Sequence, residues 1–81
     1  MYAGNHYYGR VAFINAMQEL KQSYQDAYSA WQTQLQALHR VLLDGERLEP
    51  PKLKALLYRE ALMKERYDQA RRALLGLAEE E

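Results

Sequence analysis

The sequence contains no cysteine among its 81 residues. A disulfide framework, a thiolate metal site and a catalytic thiol are therefore excluded. Proline and glycine are scarce, with two and four residues respectively, which is typical of an ordered chain rather than a linker. The chain also has no net charge, because 11 basic side chains balance 11 acidic ones. Nucleic-acid and membrane-surface binders usually carry a basic excess, so this balance argues against both classes.

Long apolar runs are missing as well. No stretch approaches the ~20 apolar residues that span a bilayer, and the N-terminus lacks the basic-then-apolar layout of a signal peptide. We therefore expect a cytoplasmic protein with no membrane segment. The length supports one domain over residues 1–81. A chain of this size buries only ~60% of its unfolded surface, so a core made by one copy alone is expected to be marginal.

A helical pattern covers residues 10–43, which contain neither proline nor glycine. Apolar side chains recur there at intervals of three and four residues, with Gln34 in the only gap. That spacing is the signature of an amphipathic helix and not of a strand. The members of this stripe are Phe13, Met17, Leu20, Tyr24, Ala27, Trp31, Leu38 and Val41.

Residues 44–50 are polar and contain Gly45 and Pro50, which predicts a short connection. A second helix is predicted over residues 51–77, followed by an acidic tail at residues 78–81. Its apolar stripe is Leu53, Leu56, Met63, Tyr67, Ala70, Leu74 and Leu77, with Glu60 in the gap. Because the connection is short, the two helices should form a long antiparallel hairpin, an all-α fold.

The predicted turn also sets which residues face each other. Leu38 should face Leu56, and Ala27 should face Tyr67. Gln34 and Glu60, the polar residues that interrupt the two apolar stripes, should also face each other in one layer of the hairpin. Two interpretations stay open: the pair hydrogen-bonds across the seam and fixes the register, or Glu60 lies at the edge and extends to water.

The first helix carries more apolar surface than one partner can cover. We therefore predict that it contacts a second protein, and that two copies form a homodimeric four-helix bundle with coiled-coil packing. Residues before Met17 should lie beyond the end of the second helix. The predicted interaction residues are Tyr7, Tyr8, Val11, Phe13, Ile14, Ala16, Ser23, Tyr28, Ala30, Leu35 and Ala37.

The sequence has few residues at the spacing typical of a catalytic or metal-binding site. The two histidines, His6 and His39, lie near opposite ends of one helix, and no glutamate has a histidine three residues later. We expect no metal, no cofactor and no enzymatic activity. The predicted function is a non-enzymatic protein–protein interaction module, such as a small adaptor, co-chaperone or regulator. The alternative is a nucleic-acid-associated protein that uses the basic side chains of the second helix, which is the less favoured hypothesis.

Overall fold

The protein is a hairpin of two long α-helices in the computed structural model, which describes the backbone of residues 2–80 and the side chains of residues 10–77. Helix α1 covers Tyr2–Leu42 and helix α2 covers Pro50–Glu80. No strand occurs in residues 2–80. The prediction of an all-α helical hairpin is therefore confirmed.

The hairpin is a thin rod. Its principal extents are 66 × 17 × 15 Å and its radius of gyration is 18.9 Å, whereas a compact domain of this length has a radius of about 12 Å. Its accessible surface is 6550 Å², against about 5,000 Å² for a compact monomer of this mass. Two helices side by side share only one seam, so most of each helix surface stays outside it.

The end of α1 is closed by its own backbone. The N–H groups of Leu43 and Asp44 both donate to the carbonyl of His39, and the N–H of Glu46 donates to the carbonyl of Arg40. Gly45 has a φ of +77°, a left-handed conformation that glycine adopts without steric cost. These bonds satisfy carbonyls that a helix end leaves without partners, so the chain can reverse at the predicted turn.

Both helices are longer than the sequence pattern predicts. Helix α1 begins at Tyr2 rather than near residue 10, and it continues through Gly4 and Gly9. Helix α2 reaches Glu80, so the prediction that residues 78–81 form a tail is wrong at least through Glu80. A glycine costs only ~0.5–1 kcal/mol in a helix, and terminal acidic residues cost less than about 1 kcal/mol. Neither cost ends a helix that is already nucleated and gains one hydrogen bond per added residue.

Leu38 and Leu56 form the most buried point of the seam. They are 7% and 3% exposed, and they are the only buried apolar residues among the described side chains. The sequence register places them opposite each other, near the turn. The rest of both stripes is partly buried, from Phe13 to Val41 on α1 and from Leu53 to Leu77 on α2.

An aromatic cluster fills the middle of the seam. The ring of Tyr67 lies 5.3 Å from Tyr24, 5.8 Å from Tyr28 and 5.1 Å from Trp31, measured between ring centroids. Tyr67 lies at the position predicted to face Ala27. Because Ala27 has only a methyl group, the Tyr67 ring has room between the neighbouring aromatic side chains of α1. Tyr67 therefore joins three aromatic residues of α1 and not a single facing layer.

The two polar residues in the stripes do not bond to each other. The indole Nε1 of Trp31 donates to Glu60 Oε2 at 2.7 Å. Arg59 Nε donates instead to Gln34 Oε1 at 3.3 Å. The interpretation of a hydrogen-bonded Gln34–Glu60 pair is therefore wrong, and Glu60 is partly buried against the indole rather than extended into water.

Candidate interaction surface

One side of the hairpin collects large apolar side chains that the seam leaves exposed. Of the seven exposed large apolar residues in the described part of the chain, five lie on this side. We call it the apolar face, and it includes the partly buried Leu35. Its members are Ile14, Tyr28, Leu35 and Leu42 from α1 with Leu57 and Leu75 from α2.

Helix geometry brings these two rows together. On α1 the members fall at multiples of seven residues, with Lys21 in the same row. On α2 the row contains Leu57, Lys64, Asp68, Arg71 and Leu75. Both helices are right-handed, and they run antiparallel. Residues that lie on the same rotational side of the seam positions in each helix are therefore on the same side of the hairpin. The contact of Tyr28 with Tyr67 lies on this side of the seam.

The predicted interaction residues divide between two sides. The row of small side chains on α1, which is Ala16, Ser23, Ala30 and Ala37, lies across the seam from the apolar face. The contact of Arg59 with Gln34 marks that second side. One flat surface cannot therefore use both rows. The set predicted from sequence contains two separate surfaces, of which only the apolar face carries large exposed apolar side chains.

The start of α1 is better covered than the sequence predicts. Val11 and Phe13 are partly buried, and in the hairpin register both still lie beyond Glu80, the last residue of α2. Helix α2 continues to Glu80, which comes level with Ile14 in the hairpin register, so the expectation for residues between Ile14 and Met17 is wrong. The side chains of Tyr7 and Tyr8 lie outside the described residues.

Charged residues also lie within the apolar face: Lys64, Asp68 and Arg71 on α2, and Lys21 on α1. Lys64 is exposed and Asp68 is partly exposed, and both lie between Leu57 and Leu75. The α2 positions of this face were not predicted from the sequence. Their regular spacing could have indicated a row on one side of α2. That the row forms a surface becomes evident only when the neighbouring row of α1 is known.

The electrostatics of the aromatic cluster are set by one hydrogen bond. The hydroxyl oxygens of Tyr24 and Tyr67 are 3.1 Å apart. This bond raises the pKa of Tyr67 above its ordinary value, and partial burial acts in the same direction. The positive charge of Arg71 lowers the pKa of Tyr67 by a smaller amount. The phenol is therefore held in its neutral, hydrogen-bonding form.

Other chemistry is sparse in the described part of the chain. No group of three or more histidine, aspartate or glutamate side chains there could hold a metal ion. Neither described helix has an apolar stretch of the length that crossing a membrane requires. The basic residues of α2 form two rows: Lys52, Arg59 and Arg66 recur at intervals of seven on the side where Arg59 contacts Gln34, and Lys64 and Arg71 lie in the apolar face.

Comparison of the chain with protein-family models, with curated proteins and with solved structures finds no match in any of the three.

Proposed function

We propose that the protein is a non-enzymatic interaction module that binds a protein partner through the apolar face. The observation that carries this proposal is the placement of five large exposed apolar side chains on one side of a rod. Apolar patches of this kind usually mark protein contact sites, because leaving them in water is unfavourable. Tyr28, which has an apolar ring and a polar hydroxyl, is of a residue type enriched at such contacts.

The rod shape supports the same proposal. A hairpin with a surface about 1,500 Å² larger than that of a compact monomer has unused area. One partner in a standard protein interface contributes about 800 Å². The excess is therefore large enough for one complete interface. An adaptor, co-chaperone or regulator would use such a surface, and the proposed location is the cytoplasm.

Two adjacent residues offer a matched test. Leu57 is on the apolar face and 45% exposed, whereas Tyr58 is off the face and 69% exposed. A photo-crosslinking amino acid placed at position 57 in living cells should form an adduct with a protein, and the same group at position 58 should not. Adding Leu75→Asp should abolish the adduct, because the charge disrupts the same face. Absence of any adduct at position 57, or equal adducts at both positions, would contradict the proposal.

Nucleic-acid binding by α2 is the alternative function, and it would use Lys64 and Arg71, which lie seven residues apart, with the adjacent Arg72. Phosphate binding weakens steeply with ionic strength because counterions are released. Retention on heparin at low salt that is lost on replacing Lys64, Arg71 and Arg72 with glutamine would favour it over the protein-binding proposal.

A further inference from the structure

We infer that the partner of the apolar face is the same face of a second copy, packed antiparallel, with Tyr28 on the two-fold axis. This inference depends on the proposed function and specifies its partner. In the assembly α1 lies against α1 of the other copy, and α2 lies against α2. The internal symmetry of the face, one pair of opposite charges and the large exposed surface of the rod support this arrangement.

A two-fold interface requires self-complementarity, because each residue pair occurs twice with the roles exchanged. On α1, Ile14 precedes Tyr28 by as many residues as Leu42 follows it. An axis through Tyr28, perpendicular to the helices, therefore places Ile14 of one copy against Leu42 of the other. The same axis brings the two Tyr28 rings together at the centre.

Helix α2 has the same symmetry about the same level. Leu57 and Leu75 are equally distant from Arg66, and in the hairpin register Arg66 comes level with Tyr28. One axis therefore pairs the apolar residues of both helices, Leu57 with Leu75 as well as Ile14 with Leu42. Nothing in the hairpin itself requires the centres of the two rows to coincide.

One charged pair of the face follows this symmetry, whereas Lys21 and Arg71 come opposite Leu35 and Ala61 of the other copy. Lys64 and Asp68 are equally distant from Arg66 on opposite sides. The two-fold axis therefore brings Lys64 of each copy to Asp68 of the other, giving two pairs of opposite charge. A two-fold axis along the rod would instead place Tyr28 against the charged Lys64 and Asp68 of the other copy. The two Lys64–Asp68 pairs therefore favour the antiparallel arrangement over the one with an axis along the rod.

The rod as a whole exposes more surface than a stable dimer interface takes up. Each chain has about 1,500 Å² more surface than a compact monomer, and a standard interface takes about 800 Å² from each partner. Burying the apolar faces together also converts two thin hairpins into a four-helix bundle, in which each helix has two neighbours.

The first experiment exploits the absence of cysteine in the natural chain. Tyr28→Cys in the full chain should give a disulfide-linked dimer on mild oxidation, because residues on the axis approach within the ~7 Å between Cα atoms that a disulfide spans. Tyr58→Cys, on the outer side of α2, should give no disulfide-linked dimer under the same oxidation. An axis along the rod keeps the two copies of residue 28 apart, so failure of the Tyr28→Cys link would overturn the antiparallel arrangement.

The second experiment uses charge reversal in trans. Lys64→Asp and Asp68→Lys, each alone, place like charges against each other at both symmetric contacts. Each should weaken the dimer about tenfold in Kd, measured by sedimentation equilibrium. An equimolar mixture of the two variants should form a heterodimer of nearly native affinity, because opposite charges then face each other again. An interaction between residues 64 and 68 of the same helix cannot explain such a recovery, because neither variant chain contains both a lysine and an aspartate at these two positions.

The outcomes separate this inference from the proposed function. A native chain that sediments as a monomer at about 50 μM, far above a specific Kd, overturns the self-association. If the photo-crosslinking group at position 57 then links to a different protein, the interaction module stands and only the identity of its partner changes. If it links to nothing, both fail. A dimer whose two charge variants do not restore each other would contradict the antiparallel register alone.

Discussion

Trp31 and Glu60 are joined across the seam by a 2.7 Å hydrogen bond from the indole Nε1 to the carboxylate. The bond connects a large apolar ring of α1 to the one acidic residue within the apolar stripe of α2. It explains why a carboxylate is tolerated there: the indole supplies a donor, and the charged oxygen makes the bond stronger than a neutral one.

Removing the acceptor should therefore destabilise the hairpin. Glu60→Ala leaves the partly buried indole N–H without its partner, and we expect a loss of about 1–3 kcal/mol in the free energy of unfolding. Urea denaturation followed by the fluorescence of Trp31 measures it. Glu60→Gln keeps an acceptor oxygen and should lose less, and Glu65→Ala, at an exposed position of α2, should change little. Equal losses for Ala and Gln at position 60 would mean that the hydrogen bond is not the cause.

Leu56 should be the most sensitive position of α2 to truncation. It is the least exposed residue in the described part of the seam, so Leu56→Ala should cost about 2–5 kcal/mol through lost burial and the cavity left behind. Tyr58→Ala, two positions further along on the outer side, should stay within about 0.5 kcal/mol of the native chain. Thermal unfolding at a fixed protein concentration tests both, and a similar loss for the two variants would contradict the assigned seam.

Two glycines should respond to alanine with opposite signs. Gly45 has a φ of +77°, and a Cβ added there would meet nothing within 4 Å, so backbone strain alone should make Gly45→Ala destabilising, by about 1 kcal/mol. Gly76 lies inside α2, where an added Cβ also meets nothing within 4 Å. Gly76→Ala should stabilise the helix by about 0.5–1 kcal/mol, because alanine loses less backbone entropy. Urea midpoints measure both changes, and a stabilising Gly45→Ala would contradict the left-handed turn.

Stability should fall in the alkaline range because of Tyr67. Its hydrogen bond with Tyr24 raises the pKa of Tyr67 in the folded state, so the folded chain holds the phenol proton at a pH where the unfolded chain has released it. The contribution is complete below the ordinary tyrosine pKa of about 10 and is lost as pH rises through the higher folded pKa.

A comparison of two phenylalanine variants isolates this effect. Tyr67→Phe should flatten the alkaline decline of the free energy of unfolding, whereas Tyr58→Phe should leave the slope unchanged. The slope with pH is the relevant measurement, since Tyr67→Phe also removes a hydrogen bond at neutral pH. An unchanged slope in Tyr67→Phe would show that other groups cause the decline.

Local pattern was enough to establish the hairpin. The three-and-four spacing of the stripes, the glycine at position 45 and the prolines at positions 50 and 51 specify two helices and one reversal. These are properties of short segments, and a short connection then leaves antiparallel packing as the outcome. The Leu38–Leu56 layer follows from the turn position, and both residues are the most buried of the described chain.

The ends of the helices and the partners of the polar side chains could be identified only from the folded structure. Helix α1 continues through Gly4 and Gly9, since the cost of a glycine is small beside the hydrogen bonds of a helix already formed. Glu60 bonds to Trp31 and not to Gln34, because side-chain length and direction decide which polar atoms meet across a seam. Sequence spacing specifies the layer of a residue but not the reach of its side chain.

The sequence by itself determined the rows of apolar residues on each helix, because a row depends only on the helical repeat. Tertiary structure alone decided how those rows combine. Ile14 and Tyr28 of α1 share a side with Leu57 and Leu75 of α2, whereas the alanine row of α1 lies on the other side. The physical reason is that a surface made by two helices depends on their direction and on the rotation of each about its axis, and both are fixed only when the aromatic cluster packs.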